Sequence, residues 1–111
     1  MSTQIKKNTF GLPTYVIEQL RTLFSHEQGI CRVIIYGSRA MGTYRTGSDI
    51  DLCIESKSMD LTQLLKIENQ IDDLLLPWKV DLSLKNKIDN QNFLDHINTE
   101  GVVFWIRPKE A

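Results

Sequence analysis

The apolar positions of this chain change period several times, and each change marks an element. Leu12, Val16, Leu20, Leu23 and Phe24 recur at helical spacing around Pro13, a residue suited to a first helical turn, and Gly29 closes the segment. Ile30–Tyr36 (Ile-Cys-Arg-Val-Ile-Ile-Tyr) is short, β-branched and followed by glycine, which predicts a buried strand. Gly37 to Gly47 reads as loop, with room for one helical turn after Ser38. Asp49 to Glu55 predicts a second strand. A helix capped by Ser58 or Asp60 then runs to about Leu76, with Leu61, Leu64, Leu65, Ile71, Leu74 and Leu75 as its apolar positions, and Pro77 stops it. Val80, Leu82 and Leu84 alternate with Asp81 and Ser83 in a third strand. Asn90 to Asn98 predicts a short helix carrying Phe93, Leu94 and Ile97; Gly101 ends it, and Val102 to Ile106 gives a last strand. Met1 to Gly11 is a loose lead-in and Pro108 to Ala111 a tail. The order α-β-β-α-β-α-β predicts an α/β (α+β) fold, a mixed sheet with helices packed on it.

Length narrows this further. At 111 residues the chain is expected to be a single domain, residues 1–111, with a core at about 12–106. Apolar and charged fractions of 41% and 24% are those of an ordinary globular protein, so any chemistry must come from particular residues. A net charge of −1 gives no general pull on nucleic acid, and none is expected as a direct partner. No apolar run approaches the ~20 residues of a membrane helix, and the polar start, Met1 to Thr9, lacks the apolar stretch of a secretory signal. A cytoplasmic protein without membrane attachment is the expectation. Cys31 and Cys53 have no metal-type spacing and read as buried reduced thiols. His26 and His96 have no acid or cysteine partner at ligand spacing and are expected at the surface. Trp78, at the helix–strand junction, reads as edge packing.

The chemistry is concentrated in one stretch. Gly37-Ser38 is followed by ten residues and then Asp49-Ile50-Asp51-Leu52. Side chains alternate along a strand, so Asp49 and Asp51 share a face roughly 6.6 Å apart. Two like charges on one face of a core strand repel each other and lose hydration, a cost that a divalent cation removes. The glycine-rich segment before them can bring backbone N–H groups to phosphate, with Ser38 as a further donor and Arg39 and Arg45 neutralising triphosphate charge. The segment is no P-loop, since the Gly-Lys-Ser/Thr lysine is missing, and it lacks the dinucleotide-binding glycine spacing. Asp81 is a second acidic residue in an otherwise apolar strand. If that strand lies beside the one carrying Asp51, the three carboxylates can hold two Mg²⁺ ions about 3.5–4 Å apart, as metal-assisted in-line displacement requires. Asp81 can then also accept the proton of an attacking hydroxyl.

These residues resemble a known family. Gly37-Ser38, ten residues, Asp49-Ile50-Asp51-Leu52, and then Pro77-Trp78-Lys79-Val80-Asp81-Leu82 are similar to the DNA polymerase β-like nucleotidyltransferase superfamily, and within it to the minimal nucleotidyltransferase (MNT) branch. The likeness runs from about Leu12 to Ile106. It implies a small mixed sheet with helices packed mainly on one side, Asp49 and Asp51 as metal ligands, Asp81 as the third catalytic carboxylate, and Gly37 and Ser38 at the β- and γ-phosphates. It also implies a partner: stand-alone MNT proteins are commonly paired with a HEPN RNase toxin and transfer AMP from ATP to its tyrosine, acting as antitoxin in a hetero-oligomer. Larger relatives add acceptor-binding subdomains that this chain lacks, so its acceptor site is expected to be shallow, built at a dimer interface or supplied by another protein. Two other expectations follow from the same features. One is inhibition of a partner by occlusion without chemistry, and the other is a two-component enzyme acting on a small hydroxylated molecule.

Overall fold

The computed structural model describes residues 9–109, so the first eight residues of the expected lead-in and the last two of the tail lie outside the described residues. A 3-10 turn at Thr9–Gly11 leads into helix α1 (Thr14–Ser25) with Pro13 immediately before it. Strand β1 (Ile30–Tyr36), a single helical turn α2 (Ser38–Met41) and strand β2 (Ile50–Ser56) follow. Helix α3 (Leu61–Asp72), strand β3 (Val80–Leu84), helix α4 (Gln91–Glu100) and strand β4 (Val102–Ile106) complete the order. Among the described residues, no helix is long and apolar enough to cross a membrane.

The four strands form one sheet in the order β3-β2-β1-β4, with β2 and β3 parallel and the other pairs antiparallel. Strand alternation divides the apolar residues between two faces. Val33, Ile35, Ile50, Leu52, Ile54, Leu82 and Leu84 meet Leu20 and Phe24 of α1 and Leu64, Ile67 and Ile71 of α3 in the main core. Ile34, Tyr36 and Cys53 face the other way and form a smaller cluster with Ile97 and Phe93 of α4. Two long helices therefore cover one face, while α4 covers part of the other and leaves the rest for polar side chains.

Local sequence sets several boundaries. Asp60 accepts from the Gln63 backbone N–H while the Gln63 side chain accepts from the Asp60 N–H, a reciprocal cap at the start of α3. Asn90 accepts from the Phe93 N–H and caps α4. Helix α3 ends at Asp72, short of the expected Leu76. Short-range bonds from the Leu74 and Leu75 amides to Ile71 and Asp72 close the helix, and Leu75 (φ 56°) turns the chain out with 87% of its surface exposed. Leu61 and Leu65 also lie on the outer face, because the buried stripe is Leu64, Ile67 and Ile71. Cys53 is buried as expected, but Cys31 is exposed. The pairing register slips between Ile30 and Arg32, and this bulge takes the Cys31 side chain out of the alternation.

On the α4 face, Glu55 ties β1 and β2 to the turn that follows β3. Arg32, its cross-strand neighbour, donates Nε and Nη2 to the two carboxylate oxygens at 2.8 and 2.9 Å, and Lys85 Nζ donates at 3.0 Å. The Arg32 hydrogen bond holds the Glu55 carboxyl below its ordinary range. A depressed carboxylate pKa stabilises the fold above the unfolded value, and that contribution disappears as pH falls through the folded value. Glu55→Gln is expected to cost about 1 kcal/mol at pH 7. Thermal melts of both proteins from pH 7 down to pH 3 should show the gap in midpoint narrowing; a gap independent of pH would refute the assignment.

Candidate active site

The cross-strand register puts three side chains in one row. Tyr36 on β1 opposes Asp51 on β2, and Asp51 opposes Asp81 on β3. Directly opposed residues share a face of a sheet, so the row Tyr36–Asp51–Asp81 runs across the side that α4 only partly covers. The sequence made Asp81's place in the site conditional on its strand lying next to the one bearing Asp51, and the parallel β2–β3 pairing meets that condition. Asp49 lies immediately before β2 rather than within it, and is exposed, as is Asp81. Asp51, between them, is half-buried.

Electrostatics reflects this placement. Burial first, then the charges of Asp81 and Asp49, push the Asp51 carboxyl up from the ordinary carboxylate range, against the opposing effect of Lys79. Burial pushes the Tyr36 phenol up to about 12, against the opposing effect of the Ser83 hydroxyl, so it stays protonated at neutral pH. Phe93 and His96 of α4 meet the Tyr36 ring edge-on at 5.5 and 6.3 Å and close that end of the row. His96, expected at the surface, is thus half-buried, whereas His26 is exposed.

Gly37 joins β1 to α2 at φ 75°, a region that favours glycine. A Cβ there would stand 2.5 Å from Asp51 Oδ2. The Gly-Ser turn and the central carboxylate are therefore in direct contact across twelve intervening residues. Helix α2 begins at Ser38; the Ala40 and Met41 amides donate to the Gly37 carbonyl, which leaves the Ser38 and Arg39 amides, with the Ser38 hydroxyl, to meet an anion. Arg45 is exposed in the following loop.

Arg39 departs from the expectation of a phosphate contact. It is only 2% exposed, and its guanidinium donates to the carbonyl oxygens of Phe10, Gly11, Thr46 and Ser48. A guanidinium has five N–H donors, and all of them are engaged, leaving none for a phosphate. Trp78 packs at the sheet edge as expected and also donates Nε1 to the Thr46 carbonyl at 3.0 Å. Sequence reasoning missed Tyr36 and Lys79. Both flank recognised motifs, but only the fold shows Tyr36 opposite Asp51 and Lys79 near enough to act on the Asp51 charge.

The donor set fits a hard divalent cation. Asp49, Asp51 and Asp81 offer carboxylate oxygens, and the repulsion that raises Asp51 is the kind a cation relieves. Among the described residues, no three Asp, Glu, His or Cys side chains form a group able to hold an ion unaided. Mg²⁺ is ordinarily held by one or two carboxylates, with substrate phosphate oxygens and water completing its shell, so an open arrangement suits it. The row is open to solvent at Asp49 and Asp81. A groove of about 570 Å³, bordered by Tyr15, Glu18, Leu23, Gln70 and Leu74, lies between α1 and α3, on the far side of the sheet.

Comparison with known proteins bears on this geometry. Residues 18–110 match the family model described as "Polymerase beta, Nucleotidyltransferase". A Methanocaldococcus jannaschii protein named as a protein adenylyltransferase is 32% identical over 76 residues, 68% of this chain and 76% of that protein. Among solved structures, a chain of a toxin–antitoxin complex with AMP-PNP superposes with a TM-score of 0.63 at 21% identity, covering 82% of this chain and 71% of the other. A chain of the complex between the tri-AMPylated HEPN toxin of Shewanella oneidensis and its MNT antitoxin gives 0.61 at 15% identity, covering 82% and 70%. At these identities the structural likeness establishes the fold.

Proposed function

We propose, from the premise that the chain belongs to the polymerase beta nucleotidyltransferase family, that it transfers AMP from ATP to a hydroxyl of a partner protein, a tyrosine of a HEPN toxin, and so acts as an antitoxin. The observation that carries the reading is the register Asp51↔Asp81, with Asp49 two residues upstream and Gly37 against Asp51. Further support comes from the relative at 32% identity that bears the name of a protein adenylyltransferase.

Asp49, Asp51 and Asp81 would hold Mg²⁺, probed most simply as two ions, and when bound it would neutralise phosphate charge and lower the cost of nucleophilic attack. The chain's own residues do the rest. The Ser38 hydroxyl and the Ser38 and Arg39 amides orient the β- and γ-phosphates, and Arg45 adds positive charge from the loop. Asp81 accepts the proton of the acceptor hydroxyl as its oxygen bonds to the α-phosphorus and pyrophosphate departs. The exposed carboxylates of Asp49 and Asp81 leave room for an acceptor presented by another protein, in a hetero-oligomer that forms where ATP and Mg²⁺ are abundant, the cytoplasm.

Intact mass of the co-purified partner after incubation with ATP and Mg²⁺ tests this. A gain of one or more AMP units is expected, absent with Asp49→Ala/Asp51→Ala. No gain in a complex that still forms would refute protein adenylylation and favour occlusion, or a small-molecule acceptor if AMP appears there instead.

A further inference from the structure

Buried arginine without a carboxylate partner is costly, because desolvation of the charge is not repaid by an opposite one. Arg39 is such a residue: the described structure gives it carbonyl acceptors and aromatic faces instead. We propose that Arg39 is a positioning residue that holds the loop between Ser38 and Asp49 in its nucleotide-binding shape before nucleotide arrives, a role that rests on the reading of this site as a nucleotide site.

The argument is the choice of partners. Nε and Nη2 donate to the Ser48 carbonyl at 3.1 and 2.9 Å, and Nη2 also donates to the Thr46 carbonyl at 3.2 Å. Ser48 immediately precedes Asp49, so the clamp reaches from the residue after Ser38 to the residue before the first carboxylate. Nη1 donates to the Phe10 and Gly11 carbonyls at 3.0 and 3.3 Å, anchoring the loop to the segment that enters α1. The guanidinium lies against two rings, 5.2 Å from the centre of Tyr44 and 6.0 Å from that of Trp78. The Trp78 indole shares the Thr46 carbonyl, which links the loop to the approach to β3 and hence to Asp81.

Gly11 completes the assembly. Its φ is +69°, and a Cβ there would stand 2.2 Å from Tyr44 Cε1, so the Tyr44 ring lies directly on the glycine backbone. At its start the segment is held by the α2 turn, with Ala40 and Met41 N–H to Gly37 and Gly42 and Thr43 N–H to Ser38; beyond Thr43 the other bonds are Ser48 N–H to Arg45 and Arg45 N–H to the Ser48 hydroxyl. Without Arg39, Ser38 and Asp49 would be joined by a segment free to sample many shapes, and binding would have to order it. Lysine cannot substitute, since a point ammonium has neither the fork of donors nor the flat face that lies against two rings.

The test is calorimetric titration of the full chain with Mg²⁺ and AMP-PNP, which requires no partner and no turnover. Arg39→Lys is expected to raise Kd at least tenfold with an unchanged far-ultraviolet spectrum. Gly11→Ala, which displaces Tyr44 but leaves Arg39 in place, should raise it several-fold and serves if Arg39→Lys fails to fold. Leu20→Ala, in the core beneath α1, is the control: it should lower the melting midpoint and leave Kd unaltered. Equal weakening in all three variants would mean general destabilisation and overturn the proposal. So would wild-type Kd values in folded Arg39→Lys and Gly11→Ala. A wild-type chain that binds no analogue overturns the nucleotide reading and the clamp together, whereas wild-type binding with unaffected variants overturns the clamp alone.

Discussion

Asp51→Asn is expected to lower nucleotidyl transfer about a thousand-fold, ~4 kcal/mol of transition-state stabilisation, and at the same time to raise the melting midpoint of the nucleotide-free protein. The two effects have one origin. Asp51 is central in the carboxylate row, half-buried, and raised from its ordinary range by burial and by Asp81 and Asp49. The folded chain therefore binds the Asp51 proton more tightly than the unfolded chain does. By linkage, stability falls as pH rises from the unfolded to the folded pKa, and the ionised side chain disfavours folding above that window. A neutral amide removes this cost while abolishing the charge proposed to hold the metal. The midpoint should rise by a few degrees, corresponding to about 0.5–1 kcal/mol for a domain of this size. Mg²⁺ should raise the midpoint of the wild type and leave that of the variant nearly unchanged. A variant that is both inactive and less stable, with its response to Mg²⁺ intact, would contradict this account of Asp51. Asp81→Asn should show the same loss of activity with a smaller gain in stability, because Asp81 is exposed.

Gly37→Ala is expected to damage both stability and activity. At φ 75° an alanine costs about 1–2 kcal/mol. Its methyl group would also stand 2.5 Å from Asp51 Oδ2, so the carboxylate must move. A shift of that size in the oxygen proposed to ligate the metal should lower turnover at least a hundred-fold, since misplacement by about 1 Å can have that effect. The double variant Gly37→Ala/Asp51→Gly separates the two contributions. Removing the carboxylate relieves the clash, so the double variant should recover part of the lost stability relative to Gly37→Ala alone, leaving the cost of the positive φ, and should remain inactive. Additive losses would show that Gly37 and Asp51 are not in contact.

Much of this was legible in the sequence because it depends on local rules. Pro13 starts α1, the Asp60 and Asn90 caps start α3 and α4, and strict alternation in Val80–Leu84 marks β3; each is a relation among near neighbours. The spacing of Gly37-Ser38 to Asp49 and Asp51 was informative because a phosphate-binding turn followed by paired carboxylates has a chemical reason. Helix α3 was read four residues too long because leucine spacing continues through Leu74 and Leu75, and a leucine in the left-handed region is a rare terminator. Cys31 was misread because a bulge shifts the strand phase by one residue and leaves no mark in the local pattern.

Arg39 shows the boundary most clearly. A cation next to a Gly-Ser turn has the same sequence appearance whether it binds phosphate or supports the loop. Which it does depends on Phe10, Gly11, Tyr44 and Trp78, residues scattered along the chain that only folding assembles. Likewise, the sequence by itself determined that Asp49, Asp51 and Asp81 stand on strands or at their edges, because alternation and composition act within a few residues. That β3 lies parallel beside β2 with Asp81 opposite Asp51, and that Tyr36 completes the row, was decided by the tertiary structure alone, because strand order and register are set by how the two faces of the sheet bury their apolar side chains.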